Sequence, residues 1–225
     1  MIDTFISMFP YVRGPVFWGA TCETLYMTAI AGVATCVLGL ILGIVLFLTS
    51  PGQMLQNRPI YWAISAVVNV FRSIPFIILI VLLIPFTKKV VGTILGADAA
   101  LPALVVGAAP FYARLVEIAL KEVDRGVIEA ARAMGASLHT IILRVLLPES
   151  SPALVSGMTV TSIALVGFTA MAGVVGAGGL GNLAYQEGFQ RSHNDVTVCA
   201  TLVILVIVFV LQLVGDRLTR WLDKR

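Results

Sequence analysis

Residues 24–57 read TLYMTAIAGVATCVLGLILGIVLFLTSPGQMLQN, a run without one Asp, Glu, Lys or Arg. A helix needs about 20 predominantly apolar residues to cross a hydrocarbon core of about 30 Å, and this run exceeds that. Outward from it the pattern repeats. Residues 150–186 carry no charge, nor do residues 196–215 between Asp195 and Asp216. Two further stretches are less clean: Ile60 to Phe86, interrupted only by Arg72, and about Ala99 to Leu120, with Arg114 and Glu117 toward one end. Five spans are expected. The whole chain agrees, with 225 residues, 59% hydrophobic and 12% charged, more apolar surface than a water-soluble domain can cover. Barrel strands are excluded, because they need alternating segments of about ten residues. The fold expected is an all-α integral membrane bundle, a single transmembrane domain over residues 1–225.

The basic residues orient this bundle. With five spans the termini lie on opposite sides. One side holds Arg58, Arg114, Lys121, Arg125, Arg132, Arg144, Arg217, Arg220, Lys224 and Arg225; the other holds Arg13, Lys88, Lys89 and Arg191. The positive-inside rule places the richer side in the cytoplasm, so the N-terminus is outside and the C-terminus inside. Lys88 and Lys89 dissent without outweighing the rest. Residues 1–20 lack a basic start and a continuous apolar core, so the first span is expected to serve as its own insertion signal. Cys22, Cys36 and Cys199 have no ligand spacing and read as small packing residues.

Between the third and fourth spans, residues 121–150 read as two short helices on the cytoplasmic side. Asp124 is placed to cap the first, with Val127, Ile128, Ala131 and Met134 at helical spacing. Gly135 ends it, being the residue that tolerates a left-handed turn. Ser137 caps a second helix, Leu138 to about Leu146, and Pro148 is expected to stop it. Glu129, Ala130, Ala131 and Ala133 leave a helix with little side-chain bulk, which another backbone can approach closely. That describes a docking surface, and equally a solvated helical loop.

The spacing Glu129-Ala130-Ala131, three residues, Gly135, nine residues, Val145-Leu146-Leu147-Pro148 resembles the EAA loop of ABC importer permeases of the type I class. Only Val145, where Ile is usual, departs from the pattern. The resemblance implies that Glu129, Ala130, Ala131, Ala133, Met134, Gly135, Leu147 and Pro148 form the coupling surface for an ATPase subunit. It also implies two copies of that ATPase, a second copy of this chain, an extracytoplasmic solute-binding lipoprotein, and residence in the bacterial cytoplasmic membrane. Phe71-Arg72-Ser73-Ile74-Pro75-Phe76, Ile84-Pro85-Phe86-Thr87, Gly107-Ala108-Ala109-Pro110-Phe111 and residues 173–181 are similar to the methionine-importer permeases within that family. This narrower resemblance alone implies D- and L-methionine as cargo. No Gly-x-x-x-x-Gly-Lys-Ser/Thr sequence is present, so ATP and Mg are expected on the partner. No cofactor, metal or nucleic acid is expected on this chain, and no catalysis.

Other features are more ambiguous. Arg72 interrupts an apolar span and should not face lipid; with Pro75 it reads as a kink, its guanidinium satisfied by carbonyls, a carboxylate or headgroups, or alternatively as a solute contact. Residues 176–181 fit Gly-x-Gly-x-x-Gly, but that fingerprint needs a strand before it and a soluble βαβ setting. After a membrane span these glycines instead allow bending and close helix approach. Met171 is a candidate gate, and Thr169 and Ser162, with Thr159 and Thr161, are candidates for the pathway wall; packing is the competing reading for each. His139 and His193 have no partner at ligand spacing. An ion-driven transporter would need carboxylates near mid-depth, and a membrane enzyme would need a catalytic constellation. Neither appears, while another amino acid or small solute as cargo stays open.

Overall fold

The computed structural model describes residues 11–223, and the regular elements among them are all helical. They are α1 (Gly14–Thr49), α2 (Arg58–Ser73), α3 (Phe76–Leu82), α4 (Ile84–Val91), α5 (Ala97–Lys121), α6 (Arg125–Ala133), α7 (Leu138–Ile141), α8 (Leu147–Val174), α9 (Gly179–Leu183) and α10 (Asn194–Leu222). Two π-helical segments, Ile142–Leu146 and Ala184–Gln190, join α7 to α8 and extend α9. Part of the stretch read for an insertion signal, residues 1–10, and the terminal Lys224 and Arg225 lie outside the described residues.

Four helical runs are long and apolar enough to cross a membrane: Gly14–Thr49, Ala97–Lys121, Leu138–Val174 and Asn194–Leu222. The expected second span differs. It is a bent pair, Arg58–Ser73 and Phe76–Leu82, at 106°, followed by the separate α4 that carries Lys88 and Lys89. Proline explains the break. Pro75 has no N–H, and its ring disfavours helical backbone at the residue before it. It becomes the N-cap of α3, its carbonyl accepting from the N–H groups of Ile78 and Leu79.

Contacts group the chain into two compact units. Among the described residues one comprises Thr35–Ser73, Ala108–Thr161 and residues 212–223. Within it α1 packs on α5 through Gly39 and Gly43, a small-xxx-small pair that lets backbones approach closely. A Cβ on Gly39 would lie 2.7 Å from Tyr112 Cδ1, and one on Gly43 would lie 2.5 Å from Val116 Cβ. Phe47 and Leu48 of α1, Tyr112, Val116 and Leu120 of α5, and Ile128, Ala131, Ile141 and Leu146 of the loop form one buried cluster. A second cluster joins Leu46, Val68 and Ala113, with Tyr61 and Ile64 against it.

Among the described residues the other unit comprises residues 11–34, Ile74–Gly107 and Ser162–Leu211. Its core is Ala20, Val166, Leu180, Leu183, Val196, Ala200 and Ile207. Phe76 and Phe168 stack nearly parallel, with centroids 4.5 Å apart.

Candidate functional site

Residues 122–146 form a bent helical finger, and each of its corners has a local cause. The Asp124 carboxylate accepts from the Gly126 N–H at 2.6 Å, satisfying a donor that the start of α6 leaves open. At the other end Gly135 has φ +79°. The Gly135 N–H donates to the Arg132 carbonyl at 2.9 Å and the Ala136 N–H to the Ala131 carbonyl at 3.1 Å, which is the paired bonding of a Schellman turn. Ser137 Oγ then accepts from the Thr140 N–H at 3.3 Å and caps α7. Replacing Asp124 by alanine is expected to weaken the first turn by about 1 kcal/mol, read as roughly fivefold faster hydrogen exchange of the residue 125–128 amides.

The finger rests on its apolar underside. Ile128, Ala131, Ile141 and Leu146 are buried in the α1–α5 cluster, with Ala136, Leu138 and Leu147 packed against it. The opposite face is open. Glu129, Ala130, Ala133 and Gly135 are exposed, and Met134 is 81% exposed. The eight residues expected to make a docking surface therefore divide. Ala131 is buried and Leu147 half-buried, so both seat the finger. Glu129, Ala130, Ala133, Met134, Gly135 and Pro148 face outward. The expected apolar stripe divides too, since Val127 and Met134 lie on the open side.

Pro148 does not stop the loop helix. From Leu138 the chain stays helical to Val174. In a regular α-helix a proline ring clashes with the carbonyl four residues back. Here the turn before it widens, the Leu147 N–H donating five residues back to the Ile142 carbonyl, and the π segment ends just before Pro148.

Arg72 is exposed at the end of α2. Among the described residues its guanidinium lies over the Phe111 ring, 5.8 Å from the centroid, in range for a cation–π contact.

In the other unit the glycine run is a turn, as its composition implies. Gly176, Gly178 and Gly179 have φ of +94°, +83° and +76°, in the region that side chains resist. The turn is clamped by two neighbours in sequence. Glu23 accepts from the Gly179 N–H at 2.6 Å, and Thr24 Oγ1 accepts from the Leu180 N–H at 2.9 Å. In the sequence Glu23 is only the charge that precedes the uncharged run of residues 24–57, and a carboxylate next to a span is the one signal of this clamp. Thr169 is buried and donates to the Val166 carbonyl at 2.8 Å, Ser162 is half-buried, and Met171 is 47% exposed. Thr159 is half-buried and Thr161 buried, so of the five pathway candidates on α8 Met171 alone is exposed.

A sequence profile described as the binding-protein-dependent transport system inner membrane component matches residues 35–225. The chain belongs to this family. Among relatives of this inner membrane component, the methionine import system permease protein MetP of Bacillus subtilis is 62% identical over 221 residues, covering 98% of this chain and 100% of that one. The probable D-methionine transport system permease protein MetI of Vibrio cholerae is 48% identical, covering 92% of each. The fold matches a chain of the MetNI methionine ABC transporter in inward facing conformation with a TM-score of 0.92 and 47% identity, over 95% of this chain and 100% of that one. In this inner membrane component the finger turns on one left-handed glycine, Gly135, and the glycine run on three.

Proposed function

We propose that the chain is the membrane-spanning permease subunit of an ATP-driven methionine importer. The supporting observation is the finger: an exposed face on which the small Ala130, Ala133 and Gly135 alternate with Glu129 and Met134, seated on buried helices, in a chain 62% identical to a methionine import permease. Two copies of the chain form the pathway. Two ATPase subunits, which hold ATP and Mg, dock on the finger around Glu129 to Pro148, and a solute-binding lipoprotein delivers methionine from outside. The charge asymmetry supports a cytoplasmic finger and C-terminus. ATP binding pulls the finger, and rigid-body movement of the helices exposes the pathway to one side and then the other. Met171 lies toward the glycine turn end of α8, where a flexible thioether can seal and unseal a path.

The test is uptake of labelled L- and D-methionine into proteoliposomes holding this chain, its ATPase and the binding protein. The expected result is uptake that needs all three and ATP, and that competes with unlabelled methionine. Uptake without the ATPase overturns the reading. ATP-driven uptake of a different amino acid keeps the permease and replaces its cargo.

A further inference from the structure

Helix α5 carries the finger on one stripe and a buried charge on the next. Tyr112, Val116 and Leu120 pack in the cluster that seats the finger, at the spacing of one helix face. Ala113 and Glu117 are one residue further round. The Glu117 side chain is 1% exposed and lies between two cations of its own helix, Arg114 Nη1 at 2.6 Å from Oε2 and Lys121 Nζ at 2.5 Å from Oε1. A third donor comes from α2, the Tyr61 hydroxyl at 3.1 Å from Oε1. Lys121 also lies over the Tyr61 ring, 5.7 Å from its centroid. The α2 helix meets α5 once more at its far end, where Arg72 covers Phe111. These two contacts run the helices antiparallel and set their register.

A buried ion cluster adds little stability over apolar side chains of similar volume, whereas removing one member of it is costly. A charge at this position therefore serves orientation better than adhesion. The apolar contacts of Val68 and Ile64 with Ala113 and Leu46 can slide, whereas a hydrogen bond from Tyr61 to a fixed carboxylate cannot.

We propose that Glu117 is a positioning residue for energy coupling, locking α2 in register on α5 so that a displacement of the finger turns both helices together. The inference rests on the function proposed above. Its test uses the complete complex in proteoliposomes and reads labelled L-methionine taken up per ATP hydrolysed. Tyr61→Phe removes the hydrogen bond from α2 to the carboxylate and leaves both ion pairs, the ring and the Arg72–Phe111 contact in place. Glu117→Gln removes the charge. Coupling changes along such networks lead us to expect uptake per ATP about threefold lower in Tyr61→Phe and about tenfold lower in Glu117→Gln. A purely structural role would lower yield or melting temperature and leave that ratio alone. A wild-type ratio in Tyr61→Phe overturns the proposal whatever Glu117→Gln does, and so does a wild-type ratio in Glu117→Gln. If Glu117→Gln does not assemble, Tyr61→Phe decides alone. Absence of ATP-dependent uptake in the wild type instead overturns the functional reading.

Discussion

Gly181→Val is expected to abolish recovery of assembled protein. A Cβ at Gly181 would fall on the Ala170 carbonyl oxygen and 2.5 Å from the Ala170 Cα. These are backbone atoms of α8, and no rotamer change removes them. The same crossing recurs one turn on, where a Cβ on Gly173 would fall on the Asn182 nitrogen. With two glycines facing across one contact, α9 can be accommodated only by separating it from α8, which opens the core around Leu180 and Val166. Overpacking against backbone atoms costs about 3 kcal/mol, the upper end of the usual range, a large part of a membrane domain's margin. The measurement is the monodisperse yield of the complex and its melting temperature. Gly167→Ala, at a position where a Cβ meets nothing within 4 Å, is the matched control and is expected to behave as wild type. Normal yield of Gly181→Val would show that α8 and α9 do not cross as described.

The second large effect is functional. Gly135→Val places a β-branched residue at φ +79° and costs about 2 kcal/mol of backbone strain. No atom lies within 4 Å of the added Cβ, so the damage is confined to the turn. The bonds from the Gly135 and Ala136 N–H groups that close α6 would be lost, and the exposed face of Ala130, Ala133 and Met134 would shift. The expected result is an assembled complex whose ATP hydrolysis continues while methionine uptake falls by more than about tenfold. Glu129→Arg leaves the turn intact and reverses a charge on the same face, so it is expected to weaken copurification of the ATPase in a salt-dependent way. Full uptake in both variants would remove the finger from the coupling route.

The finger was legible because its signals are local. Asp124, Gly135 and Ser137 act on backbone within three residues of themselves, and each sits where such a residue must sit. The helical class and four of the five expected spans followed from the lengths of apolar runs. What the chain order hid was tertiary or cooperative. Pro148 reads as a stop, yet a widened turn before it lets the helix continue. Pro75 reads as a kink in one span, and the result is two helices at 106°. Arg72 was visible as a charge within an apolar run, but its contact with the Phe111 ring on α5 depends on how α2 lies along α5. Glu23 and the glycine turn are 156 residues apart, beyond any periodic signal. Glu117 was visible as a charge near the end of a span, but its three donors depend on how α2 lies along α5.

The length of α1 bears on the membranes in which the chain can work. Its uncharged part, Thr24–Thr49, rises about 39 Å at 1.5 Å per residue, against a hydrocarbon thickness of about 30 Å. Lipids differing by several ångströms in thickness can therefore be matched along this rod without drawing Glu23 or Arg58 into hydrocarbon, and hydrophobic mismatch at this helix is absorbed by residues with no charge to desolvate.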